Sequence, residues 1–211
     1  MASRTATSIK VVGLGGSMAA PSRSLAALKL GLAGAQEAGA TTELLDLREL
    51  SLPMYVPTAR EFPPAVHRLL DEVYGAHGVL WSSPLYQGTI SGAFKNALDW
   101  LHPLESRQPP FLTDKVVGLM STAGGVYGMQ AVNTMEFSVR ALRAFAVPLV
   151  VPVARAGQAF DAEGRAAEPG TEAMLRRLGQ EVVRVARNFQ HGAALDEECE
   201  RAKARLSLVA S

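Results

Sequence analysis

Three hydroxyls and a guanidinium crowd one short stretch: Ser17, Ser22, Arg23 and Ser24, in Gly15-Gly-Ser-Met-Ala-Ala-Pro-Ser-Arg-Ser24. Where a helix begins, such a set binds anions without a metal. Hydroxyls and free peptide N–H groups donate, and the guanidinium adds charge. Gly15 and Gly16 let the backbone approach a ligand closely. Two further stretches are of the same kind. Pro84-Leu85-Tyr86-Gln87 leads to Ser91, and Ser121-Thr122-Ala123-Gly124-Gly125 leads to Tyr127 and Gly128. A glycine pair can lie flat against a planar ring and offer N–H groups to its polar edge, and Tyr127 can stack on that ring.

Other chemistries lack their residues. Gly13-x-Gly15 needs a third glycine at position 18, which is Met18, so the dinucleotide fingerprint fails, although Asp46 ends the second strand where a ribose would lie. No Gly-x-Ser-x-Gly elbow occurs. His67, His77, His102 and His191 show no metal-ligand spacing and read as surface or packing residues. The single cysteine, Cys199, lies among Asp196, Glu197, Glu198 and Glu200, which disfavour its thiolate. A net charge of +1 with no basic stripe argues against a nucleic-acid partner. Met1 to Lys10 holds no long apolar run, so no signal peptide or membrane span is read there, and a cytoplasmic protein is expected.

The elements that must position these loops follow from hydrophobic period and punctuation. Strands are expected at Ile9–Leu14, Thr42–Leu47, Gly78–Ser82, Lys115–Ser121 and Val147–Val153, with Pro148 and Pro152 suiting an edge. Pro84 is expected to end the third strand. Helices are expected over about Leu25–Ala38, stopped by Gly39, and from Pro64 with Val66, Leu69, Leu70 and Val73 on one face. A third follows a Ser91 cap, with Ala93, Phe94, Ala97, Leu98 and Leu101 inward. A fourth spans about Gln130–Phe145. A last one is capped by Thr171, carries Leu175, Leu178, Val182, Val185 and Phe189, and ends at His191-Gly192, with a further helical tail near 193–206. His102–Asp114 reads as an exposed loop. The whole, residues 1–211, is expected to be one domain. Alternating strands and helices give an α/β doubly wound, five-stranded parallel sheet with helices on both faces, in the flavodoxin-like order 2-1-3-4-5. Its switch point gathers the three polar loops into one cleft.

The stretch Pro84-Leu85-Tyr86-Gln87, then Gly92-Ala93-Phe94-Lys95-Asn96-Ala97-Leu98-Asp99-Trp100, resembles the NADPH-dependent FMN reductase family. Its apolar loop is nearest to the sulfonate-system FMN reductases. The usual loop is Pro-Glu-Tyr-Asn, so Leu85 and Gln87 are departures. Ser17 to Ser24 is similar to the family's phosphate loop, with Ala19 where many members have Arg. Ser121 to Gly125 is similar to its flavin-ring loop. The resemblance runs in order from residue 9 to 164. It implies an FMN held by Ser17, Ser22, Arg23, Ser24, Pro84, Leu85, Tyr86, Gln87, Ser121, Ala123, Gly124 and Gly125. Hydride would pass from NADPH or NADH to flavin N5 and on to a small-molecule acceptor such as free flavin or a quinone. No side chain need act as acid or base. A homodimer or homotetramer is implied, since family members complete the site across an interface. The alternatives are a flavodoxin-type electron carrier, which is usually acidic, and a non-catalytic module for another phosphorylated ligand. No 2′-phosphate clamp that would prefer NADPH is identifiable in the sequence.

Overall fold

A computed structural model describes residues 8–209. The first strand, β1 (Lys10–Gly15), is buried on both faces after Lys10 and lies between β2 (Thr41–Asp46) and β3 (Gly78–Tyr86). Beyond β3 come β5 (Val116–Thr122) and β6 (Phe145–Val153), all parallel, in the order β2-β1-β3-β5-β6. A two-residue strand, β4 (Thr89–Ile90), folds back antiparallel on the end of β3. Leaving β4 aside, this is the expected order. β6 is an edge strand, and its register with β5 is irregular between Val117 and Leu119, the stretch that faces Pro148.

Helices cover both faces. On one face, α1 (Arg23–Glu37) and the long α7 (Pro169–Val209) bury Leu28, Leu32, Leu175, Leu178 and Val182 against β1, β3 and β5. On the other, α3 (Pro64–Tyr74), α4 (Gly92–Asp99) and α5 (Met129–Ala141) surround Leu14, Trp81, Phe94 and Leu119. The expected face of α3 is buried throughout: Val66, Leu69, Leu70 and Val73. Ser91 caps α4 as expected, its Oγ accepting the Phe94 N–H at 3.2 Å. Gly39 leaves α1 with φ +85°, in the left-handed region that suits a helix stop.

α1 and α7 cross without room for side chains at their contact. A Cβ on Gly34 would lie 2.0 Å from the Arg176 carbonyl oxygen, and one on Gly179 would lie 1.9 Å from that of Gly31. Two mid-helix glycines, each disfavoured in isolation, are therefore set by packing.

Several boundaries differ from expectation. Pro84 does not end β3; it pairs with Thr122 within the strand. Alternate residues of a strand bond to opposite neighbours, and Ser82 O accepts from Gly16 N at 3.2 Å, so Pro84 faces the β1 side, where β1 has already stopped. Its missing N–H costs no ladder bond. α1 starts at Arg23, because Ser22 accepts the Leu25 N–H as N-cap. Asp46 caps an unexpected short helix, α2 (Leu47–Leu50), accepting from Arg48 N at 3.0 Å. Residues 102–114 are largely exposed, as expected, but not wholly a loop: a 3-10 turn at His102–Ser106 buries Leu104, and Leu112 is fully buried. α5 ends at Ala141, and the chain enters β6 at Phe145. α7 opens at Pro169, with Pro at its first position, so Thr171 lies inside it. It also runs unbroken through His191-Gly192, taking in the separate tail helix. Among the described residues no helix is long and apolar enough to cross a membrane.

Candidate functional site

The three polar loops meet at the C-terminal ends of β1, β3 and β5, where open α/β sheets bind ligands. A cavity of about 190 Å³ there is lined by Ser17, Arg23, Ser24, Pro84, Leu85, Tyr86, Ala123 and Gly124, together with Ala19, Pro21, Thr122 and Ala156. A larger cavity, about 700 Å³, opens at the other end of the strands between Tyr74, His77, Lys115 and Phe189. It lies away from the switch point. Burial, opposed by Asp114, holds the Lys115 ammonium down to about 8 there, and its Nζ donates to the carbonyls of Tyr74 and Ala76 at the end of α3.

The β1 loop is built around its hydroxyls. At Gly15, φ +158°, a Cβ would stand 2.2 Å from the Ser82 carbonyl oxygen, so only glycine lets the chain turn over β3 here. Ser22 Oγ accepts from Leu25 N at 3.2 Å and from Ser17 Oγ at 3.0 Å. A hydroxyl has two lone pairs and one hydrogen, so its 3.2 Å contact with Ser24 Oγ must be a donation. The proton of each serine thus points to the next, and the Ser24 hydrogen is left for an acceptor in the cavity. Ser17 and Ser24 are both buried, 5% and 1% exposed.

Arg23 supports the same reading. It is the first residue of α1, whose first turn holds no acidic residue. A cation at a helix N-terminus opposes the macrodipole. Its Nε is buried and has no hydrogen-bond partner among the described residues. A phosphate in the cavity would meet an unpaired guanidinium N–H, a free serine proton and the helix N-terminus. The residues present therefore fit the phosphate of FMN.

The β3 and β5 loops form the opposite wall. Gln87 and Gly88, φ +46° and +83°, make the tight turn between β3 and β4, and Tyr86 stands 50% exposed beside it. Gln87 does not line the cavity. Ser121 is fully buried, and its Oγ donates to the Gly128 carbonyl at 2.8 Å, clasping the two ends of the loop rather than lining the site. Gly125 also lies off the cavity, its carbonyl accepting from Arg155 N at 2.9 Å. A Cβ at Gly124 or Gly125 would meet nothing within 4 Å, and neither has a positive φ. Neither packing nor turn geometry requires glycine there, and the open space suits a flat ring laid on the backbone. Ala156, absent from the sequence-based set, opens α6 (Ala156–Ala159) and donates its N–H to Ala123 O at 2.9 Å. Only the placement of β6 beside β5 brings it there. No histidine lines the cavity.

A profile of the NADPH-dependent FMN reductase family matches residues 9–158. The NAD(P)H-dependent FMN reductase PA1204 of Pseudomonas aeruginosa is 32% identical over 164 residues, covering 74% of this chain and 84% of that protein. The NADPH-dependent FMN reductase ArsH of Shigella flexneri is 32% identical over 157 residues, and this chain spans 60% of its length. Among solved structures, the flavoenzyme NAD(P)H:acceptor oxidoreductase FerB of Paracoccus denitrificans superposes with a TM-score of 0.71, covering 86% of this chain and 98% of that one at 21% identity, a likeness of fold. The chain belongs to the NADPH-dependent FMN reductase family. It is an oxidoreductase that works with FMN and a reduced nicotinamide nucleotide.

Proposed function

We propose that the cleft between the β1, β3 and β5 loops holds FMN and reduces small-molecule acceptors at the expense of NAD(P)H. The observation that carries this is that Arg23, whose buried Nε has no partner among the described residues, lines the same cavity as Ser24 with its unused proton. FMN, when bound, supplies the hydride-accepting and electron-donating chemistry. The chain supplies position and field. Arg23, Ser24 and the N-terminus of α1 hold the phosphate, with Ser17 and Ser22 orienting Ser24. Pro84, Leu85 and Tyr86 wall one side of the ring, and Ala123 and Gly124 present backbone to the other. Hydride transfer to the flavin needs no side chain as general acid or base, and solvent can supply the protons.

Tyr86 lines the cavity, and Met18, Val126 and Tyr127 lie in the loops after β1 and β5 that contribute to it, each of the four at least half exposed. They support a homodimer or homotetramer in which a second copy closes the cleft. The chain is read as one cytoplasmic domain, consistent with a single exposed, unpaired cysteine, Cys199. Absorbance of the purified protein after FMN addition, followed by NADPH oxidation with and without a quinone, tests the function. Flavin binding without NAD(P)H oxidation would leave an electron carrier, and no flavin binding would leave a module for another phosphorylated ligand. Light scattering that gave a monomer at full FMN occupancy would reject the shared cleft.

A further inference from the structure

A second cavity, about 240 Å³, lies on the far side of the phosphate loop. The segment Ala19 to Pro21 is a wall common to both cavities. Two cations line this second space. Lys29 comes from α1, one turn after Leu25 on the same face, and Arg48 comes from the second residue of α2. Both are exposed, and among the described residues neither side chain has an ion pair or hydrogen bond. The carboxylates at the cavity are differently placed. Glu163 is held by Arg165 at 3.2 Å. Asp46 is 3% exposed, and its Oδ1 accepts the Arg48 N–H as the cap of α2. Asp46 thus fixes where Arg48 begins. The space offers two free cations against two carboxylates that are both already engaged, beside a loop already shaped for phosphate.

We infer that this cavity takes the 2′-phosphate of NADPH, with Lys29 and Arg48 as the residues that prefer NADPH over NADH. The inference rests on the reading of the neighbouring cleft as the flavin site, since the nucleotide must straddle the Ala19–Pro21 wall to bring its nicotinamide to the ring. A phosphomonoester dianion suits two converging cations from different elements, whereas a lone ribose hydroxyl gains little from either.

The test uses the full chain with FMN present. 2′,5′-ADP, which carries the 2′-phosphate, and 5′-ADP, which lacks it, are titrated against wild type and against Lys29→Gln, Arg48→Gln and the double variant. The wild type is expected to bind 2′,5′-ADP at least tenfold more tightly than 5′-ADP, and the double variant to bind both alike. In turnover, each single variant should raise KM for NADPH about tenfold and KM for NADH less than twofold, with kcat for NADPH kept. Equal binding of the two nucleotides by wild type would overturn the assignment, as would a discrimination that survives the double variant. Equal losses for NADPH and NADH would overturn it too, because the cations would then act on the common part of the nucleotide. The binding arm reads out without turnover. A chain that discriminated the nucleotides but oxidised neither would sink the reductase reading and leave this site standing.

Discussion

Replacing Arg23 by Met separates a binding role from a folding role, because the two predict opposite signs. Met keeps the volume of the aliphatic stem and removes only the guanidinium. In the chain without flavin, Arg23 Nε is buried and unpartnered, and its charge sits at the N-terminus of α1. An unsatisfied buried donor costs about 1–3 kcal/mol, and a misplaced terminal charge about 0.3–1 kcal/mol. Arg23 is only partly buried, so the low end applies, about 1 kcal/mol in all. For a chain of 211 residues that is an increase in Tm of about 2–4 °C for the flavin-free variant. With FMN the sign reverses. Loss of one charged hydrogen bond, about 1.5–3 kcal/mol, should weaken FMN roughly 10- to 150-fold. Riboflavin, which has no phosphate, should bind the variant as it binds the wild type. Thermal melts of flavin-free protein and fluorescence titrations with both flavins provide the readouts. A flavin-free variant that melted several degrees below wild type, or equal losses for FMN and riboflavin, would refute the assignment of Arg23 to the phosphate.

Gly124→Val should leave Tm nearly unchanged, because its side chain meets no atom of the fold, yet weaken FMN more than tenfold if the ring lies on that backbone; calorimetry beside flavin titration checks both halves. Gly34→Ala and Gly179→Ala should each destabilise by at least about 2 kcal/mol in urea, since each Cβ would strike backbone of the facing helix, and the double variant should cost less than the sum because α1 and α7 separate once. His77 accepts the Lys10 N–H through Nδ1 at 3.0 Å. Burial first, then Lys115 and Lys10, hold its pKa below the ordinary 6.5. The folded state therefore binds fewer protons than the unfolded chain below that pH, so stability is full above it and falls as the medium becomes more acid. His77→Asn should flatten that part of the pH–stability curve, and an unaltered slope would show that another group carries it. Replacing each histidine by Gln should keep kcat within a few-fold, whereas a thousandfold loss in any of them would mean that an acid or base had been missed.

What the sequence made legible was whatever period and caps control. The apolar face of α3 and the Ser91 cap stand where hydrophobic spacing and hydroxyl chemistry put them. The convergence of 17–24, 84–86 and 123–124 followed from strand order alone. Tertiary context decided the rest. Pro84 reads as a stop unless the length of β1 is known. Leu104 and Leu112 are isolated leucines in a polar, proline-rich stretch, and no period announces their burial. Gly192 reads as a helix end because glycine costs about 1 kcal/mol in a helix, but the alanines and charged residues beyond it carry α7 onward. Lys29 and Arg48 are far apart in sequence and meet only because α2 follows β2 directly.

The division of the core between the two faces of the sheet has a consequence for how the chain is made. The face under α3, α4 and α5 draws its buried residues from positions up to Val139. The face under α1 needs Leu175, Leu178, Val182, Val183 and Ala186 from α7. During synthesis the first face closes while the second waits for roughly 50 more residues, about 2–10 s at ordinary elongation rates. Through that interval β3 and β5 have no cover at Gly78 and Gly118, where Leu178 and Val182 will pack, so a ribosome stalled in the α6–α7 connection would hold a half-clad sheet, the form of this chain most in need of a chaperone.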